Sequence, residues 1–207
     1  LLFLTSTGFD SILAFDLNQR VFVWGLYLSK NGQDWLGQAF DPRSRGGPDF
    51  VNSYHLNMVR VDQDGVSFSG LNTQALLALS SDLSVSEICS LPRGCHNAMP
   101  FQQGILLNDT AADVVRFVSR SDDHIAVSVP TFPVEELEFR GVDDSRIARQ
   151  GFGRGLCVID DRLIAAGSSP STVSIIDIEK GKRLTAANLT MDIRNAIHGL
   201  ECWPKNW

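Results

Sequence analysis

The stretch YHLNMVRVDQDGVSFSGLNTQALLALSSDLSVSEICS, residues 54–90, decides the fold. It holds four short apolar runs, YHLNMVRV (54–61), VSFSG (66–70), ALLALS (75–80) and VSEICS (85–90), parted by the polar turns VDQDGV, SGLNTQ and SSDLS. None of the runs keeps a 3.6-residue period over the ~11 residues a stable helix needs. Short apolar segments bounded by Gly, Asp, Asn and Ser read instead as successive strands of a meander.

The same cycle recurs on both sides. Upstream lie LLFLTS (1–6), SILAFDL (11–17) and VFVWGLYL (21–28); downstream come HNAMPF (96–101), GILLND (104–109), VVRFVS (114–119) and IAVSVPTF (125–132). A third group follows, RGLCVID (154–160), RLIAAGS (162–168), VSIIDI (173–178) and RLTAANL (183–189), and the chain closes with a lone HGLECW (198–203). That makes 16 strands in cycles of four. The innermost strands open with HLNMV, HNAMP, RGLCV and HGLEC, at His55, His96, Arg154 and His198, which are 41, 58 and 44 residues apart. A period of roughly 40 to 50 residues, stretched by insertions, is the mark of propeller blades. The N-terminal three strands take the places of the second, third and fourth strands of a blade. The reading is therefore an all-β, four-bladed β-propeller over residues 1–207 as one domain, closed by pairing of strand 198–203 with strand 1–6, which removes two edges open to aggregation.

In blade number and length the chain resembles the hemopexin-type four-bladed propeller, in architecture only; the likeness spans the whole chain and rests on strand order and repeat length. The terminal phrase IHGLE-WP (197–204) also resembles that of an uncharacterised group of bacterial propeller-like domains, a likeness that implies no activity. There is no WD dipeptide.

Composition narrows the function classes. With 18 Lys and Arg against 24 Asp and Glu, a net charge of −6 and a pI near 5.1, the chain lacks the cationic excess that neutralises phosphate backbones, so nucleic acid is not an expected partner. No apolar run approaches the ~18 to 20 residues of a membrane helix, and a soluble, cytoplasmic protein is expected. Of the four cysteines, Cys89 and Cys95 in CSLPRGC could close a small disulfide loop, with buried free thiols the other reading.

Function is expected around the openings of the inner strands. Two long insertions, 29–54 and 133–153, lead there and carry Arg43, Arg45, Arg140, Arg146 and Arg149 beside Trp35, Phe40 and Phe152. Arginine forks suit carboxylate or phosphate and aromatic faces cover the rest of a ligand, so these residues with Arg154 are the candidate binding set for a small anion, a peptide or a partner protein. Ion pairing of the same arginines with Asp34, Asp41, Asp49, Asp143 and Asp144 is the competing expectation. His55, His96 and His198, converging from three blades, are a candidate metal site for zinc, iron or copper, with Arg154 beside it to orient an anion; that set would make the protein a metalloenzyme. Carotenoid oxygenases, propellers holding iron through histidines, are a distant analogy. GFGRG (151–155) enters a strand and not a helix, so it is not read as a phosphate loop.

Overall fold

The computed structural model describes residues 1–121, 124–139 and 149–203. The architecture is all-β: four antiparallel sheets of four strands, each in simple meander order. The first sheet is β1 (Leu2–Ser6), β2 (Ser11–Asp16), β3 (Val21–Asn31) and β4 (Asp34–Phe40). The second is β5 (Leu56–Asp62), β6 (Gly65–Gly70), β7 (Ala75–Leu79) and β8 (Val85–Ser90). The third is β9 (His96–Phe101), β10 (Gly104–Asp109), β11 (Val114–Ser119) and β12 (His124–Ser128). The fourth is β13 (Leu156–Val158), β14 (Leu163–Ser168), β15 (Thr172–Asp177) and β16 (Lys182–Asn188). The chain divides into two compact units, Leu1–Met99 and Pro100–Trp207.

Burial explains why the runs are apolar without strict alternation. The last four residues of β6, β10 and β14 are all buried, so both faces of these second strands are covered and each reads as a continuous run, SFSG, LLND and AAGS. Outer strands are wet. Every residue of β16 is exposed, and it opens with Lys182 and Arg183, charges that discourage another chain from pairing with a free edge. In the first unit, Ile12, Leu26, Leu28, Trp35, Leu56, Phe68, Ala75 and Leu77 form one buried cluster drawn from both of its sheets.

One backbone contact repeats in all four sheets. The residue just ahead of the third strand of the cycle offers its carbonyl to an N–H in the following strand or just past its end: Asp10 to Leu28 at 2.9 Å, Gln74 to Leu91 at 2.8 Å, Asp113 to Val129 at 2.9 Å and Ser171 to Leu189 at 2.8 Å. Three of these residues, Asp10, Gln74 and Asp113, sit in the left-handed region at φ of 46°, 50° and 56°. The equivalence sets the phase of the first sheet. β1, β2 and β3 occupy the second, third and fourth places, as the turn pattern predicts, and β4 is an added strand.

Two sequence expectations change here. His198–Trp203 forms no strand, and the fourth strand of the first sheet comes from Asp34–Phe40, inside the segment read as a long insertion. Its turn is Gly32–Gln33, with Gly32 at φ 60°, joining Asn31 to Asp34 as a pair. Glycine at the first position of a two-residue hairpin loop takes the positive φ this turn needs, and it explains why the chain reverses there.

Asp10 does more than the equivalent residues. It is buried, and its carboxylate accepts three backbone N–H groups, Ser53 at 2.6 Å, Tyr54 at 3.0 Å and His55 at 2.8 Å, so it holds the approach to β5 against the start of β2. Replacing it strands three donors, each worth about 1 kcal/mol or more when left unpaired. Asp10→Ala is expected to destabilise the first unit by about 3 kcal/mol in urea unfolding, and Asp10→Asn, which keeps one acceptor oxygen, by less. Equal stability of Asp10→Ala and the parent would remove this role.

Candidate functional site

The side chains that meet at one place in the second unit come from GFGRG and from the segment after β16. The glycines there are required by packing. A Cβ on Gly155 would lie 2.9 Å from the Ile197 carbonyl oxygen, one on Gly167 2.5 Å from the Ile197 side chain, and one on Gly153 3.1 Å from Asn108 Oδ1. The amides of Gly151, Arg154 and Gly155 donate to Ser169, Gly167 and Ile197 carbonyls at 2.9, 2.9 and 2.8 Å, so this glycine run spends its N–H groups on the fold and not on a phosphate.

Ile197 is the wedge. Its carbonyl accepts from Gly155 and its N–H reaches the Ser168 carbonyl at 3.4 Å, while its side chain lies over the bare Cα atoms of Gly155 and Gly167. The next residue, His198, is thereby delivered to Arg154. Arg154 Nη1 lies 2.8 Å from His198 Nε2 and 3.4 Å from Nδ1. A guanidinium can only donate, so a neutral imidazole can accept from it, whereas a protonated one would face a like charge. Burial, then the adjacent Arg154 charge, lowers the His198 pKa below its ordinary 6.5, although the ring remains open to solvent. Burial lowers the Arg154 pKa as well.

Phe152, 9% exposed, forms the floor. The Arg154 guanidinium carbon is 4.4 Å from its ring centroid and that of Arg149 is 5.0 Å. The two arginines have different duties. Arg149 forks onto Asp113, with Nη2 2.6 Å from Oδ1 and Nη1 2.8 Å from Oδ2, and also donates to the Thr110 and Gln150 carbonyls at 2.9 and 3.2 Å. It secures the left-handed Asp113 turn. Arg154 faces an imidazole.

The other sequence candidates are placed as follows. Trp35 belongs to β4 and to the buried cluster of the first unit, edge-on to Tyr54 at 5.1 Å with Lys30 Nζ 4.5 Å above it, so it is a core residue and not a ligand contact. Arg43 pairs with Asp41 in the exposed turn at 2.9 Å, the competing surface ion pair, and Arg45 is exposed nearby. Arg140 and Arg146 lie outside the described residues. His55 is at φ 53° with Nδ1 3.0 Å from Asn52 Oδ1, and His96 is buried in β9. His55, His96 and His198 are not a ligand set: among the described residues no three His, Cys, Asp or Glu side chains gather where a metal ion could sit. Cys89 and Cys95 are not joined by a disulfide. Sequence reading singled out Arg154 and His198 through the repeat but missed Asp113, whose place before a strand in NDTAAD was the available signal.

Comparison with known proteins adds fold neighbours only. No family model matches, and no curated protein matches. Among solved structures the chain is similar to virginiamycin B lyase from Staphylococcus aureus, at 9% identity and a TM-score of 0.43 over 85% of this chain and 51% of that one. It is also similar to a streptogramin B lyase, at 11% identity and a TM-score of 0.40 over 85% of this chain and 64% of that one. The chain thus spans between half and two thirds of the length of these structures.

Two outcomes follow from this packing. Gly167→Ala, pressing on Ile197, is expected to cost about 1 to 3 kcal/mol in urea unfolding, whereas Gly199→Ala, with open space around it, stays within about 0.5 kcal/mol. The His198 pKa is lower folded than unfolded, so the unfolded chain takes up the proton first: stability is full above pH 6.5 and falls as pH drops from 6.5 towards the folded pKa. His198→Asn should lose that segment of the pH–stability curve; identical curves for both proteins would break the assignment.

Proposed function

We propose that this protein is a binding module whose second unit takes a small anionic ligand, a carboxylate or phosphate group, on Arg154 and His198 above Phe152. The observation that carries the reading is the 2.8 Å contact between a guanidinium and an imidazole, two groups of the same charge type held side by side in a half-covered place. Such a pair is tolerated only while the imidazole is neutral. An anion arriving there accepts from the guanidinium and makes protonation of the imidazole favourable, turning a penalty into two charge-assisted hydrogen bonds. Phe152 supplies an apolar flank for the body of the ligand. Arg149, held by Asp113, keeps that ring and the turn beneath it in position.

Linkage fixes the pH dependence. Binding raises the His198 pKa, so affinity increases as pH falls through the histidine range and levels off below it. Titration calorimetry with inorganic phosphate and with citrate, at pH 7.5 and 5.5, is expected to show tighter binding at the lower pH. Arg154→Ala should weaken binding by about 10- to 100-fold, the worth of a charged hydrogen bond. His198→Asn should keep binding but flatten its pH dependence. Unchanged affinity in Arg154→Ala would end the proposal.

A further inference from the structure

The same segment that delivers His198 also brings two thiols together. Cys157, buried in β13, has its Sγ 3.6 Å from the Sγ of Cys202, a van der Waals contact between sulfurs 45 positions apart in sequence. Both are free thiols, and Cys202 is exposed. The Glu201 carboxylate lies 3.9 Å from the Cys157 sulfur and accepts at 3.0 Å from the Cys202 N–H, which fixes the local backbone with Cys202 turned towards β13. Burial, with Cys202 and Glu201 adjoining, pushes the Cys157 thiol up to about 11. Only a shift of about 1.5 Å separates the sulfurs from bonding distance, which is ~2.05 Å.

We propose that Cys157 and Cys202 are a reversible dithiol–disulfide pair, oxidised by a low-molecular-weight disulfide to a crosslink that pins the 197–203 segment onto β13. The chemistry is two exchanges. The exposed Cys202 thiolate attacks one sulfur of oxidised glutathione, forming a mixed disulfide and releasing one glutathione thiolate. Cys157, after losing its proton, attacks the Cys202 sulfur and expels the second glutathione. Two protein thiols are oxidised, one glutathione disulfide is reduced to two thiols, and the two protons given up by the protein end on glutathione. The reactivity order follows from exposure, since a buried protonated thiol cannot open the sequence.

The test uses the whole folded chain treated with excess oxidised glutathione, alkylated, digested and analysed by mass spectrometry without reduction. The expected product is a peptide pair linked through Cys157 and Cys202, with no glutathione retained on either, and a melting temperature several degrees above that of the reduced protein. Cys157→Ser should stop at the mixed disulfide on Cys202, and Cys202→Ser should leave Cys157 as a thiol. A wild-type protein that stops at the mixed disulfide, links Cys89 or Cys95 instead, or crosslinks two chains overturns the proposal.

Discussion

The contact on which the repeat depends is a single backbone hydrogen bond made four times, from Leu28, Leu91, Val129 and Leu189 to the carbonyls of Asp10, Gln74, Asp113 and Ser171. Each ties the start of a third strand to the strand after it, so the third and fourth strands of a sheet cannot slip against each other by a residue without losing it. For the carbonyl to turn that way the backbone enters the left-handed region in three of the four cases, a conformation that Asp and Asn tolerate better than branched residues do. The rest of each turn then has little choice. Asp10 and Asp113 have side chains left over, and the fold uses both: one gathers the amides of residues 53–55, the other receives the Arg149 fork.

Acidic residues are placed in the same spirit. Asp16, Asp62, Asp82, Asp160 and Asp177 each accept a backbone N–H two or three positions ahead, at Asn18, Asp64, Ser84, Arg162 and Lys180. These bonds close the polar turns between strands and hold all five carboxyls below their ordinary range, with Asp82 and Asp177 at about 2. The first-ranked cause varies, an Arg60 side chain for Asp62 and Arg162 for Asp177, a backbone amide for Asp16 and Asp160, and the Ser80 hydroxyl for Asp82. The net negative charge is therefore partly a consequence of how the turns are built.

How much of this was readable in the sequence depends on whether the information is local. The strand cycle was, because turn residues and apolar runs act within a few positions, and the described residues form 16 strands. One was misplaced. HGLECW has a strand's composition, but hydrophobicity reports burial and not pairing, and its apolar residue of consequence, Ile197, sits just ahead as a plug over two glycines. Conversely, β4 was hidden in a stretch rich in charge and glycine, although Gly32 marked its hairpin. The arginines were harder. Arg43 pairs with Asp41 two positions before it, whereas nothing near Arg149 in sequence tells whether its partner is a ligand or an aspartate; Arg149 found one 36 residues away. Arg154 and His198 stood out only because the repeat put both at the head of an inner-strand motif.

That last success has a physical basis, even though one of the two segments never became a strand. β13 starts just after Gly155, and the terminal segment lies beside that glycine from Ile197 onwards, fastened by the Gly155 amide and by the space that absent side chains leave at Gly155 and Gly167. Once those two points are fixed, the residues on either side are brought into step: Arg154 meets His198, and Cys157 meets Cys202, at sequence separations of 44 and 45. A paired strand would have spent the amides of 198–203 on a ladder and turned alternate side chains away from β13. Here 198–203 forms no strand, and His198 and Cys202 reach Arg154 and Cys157. The arrangement of the second unit thus rests on a wedge in place of the expected strand, and the glycines that admit the wedge are as necessary to it as the arginine and the histidine that meet there.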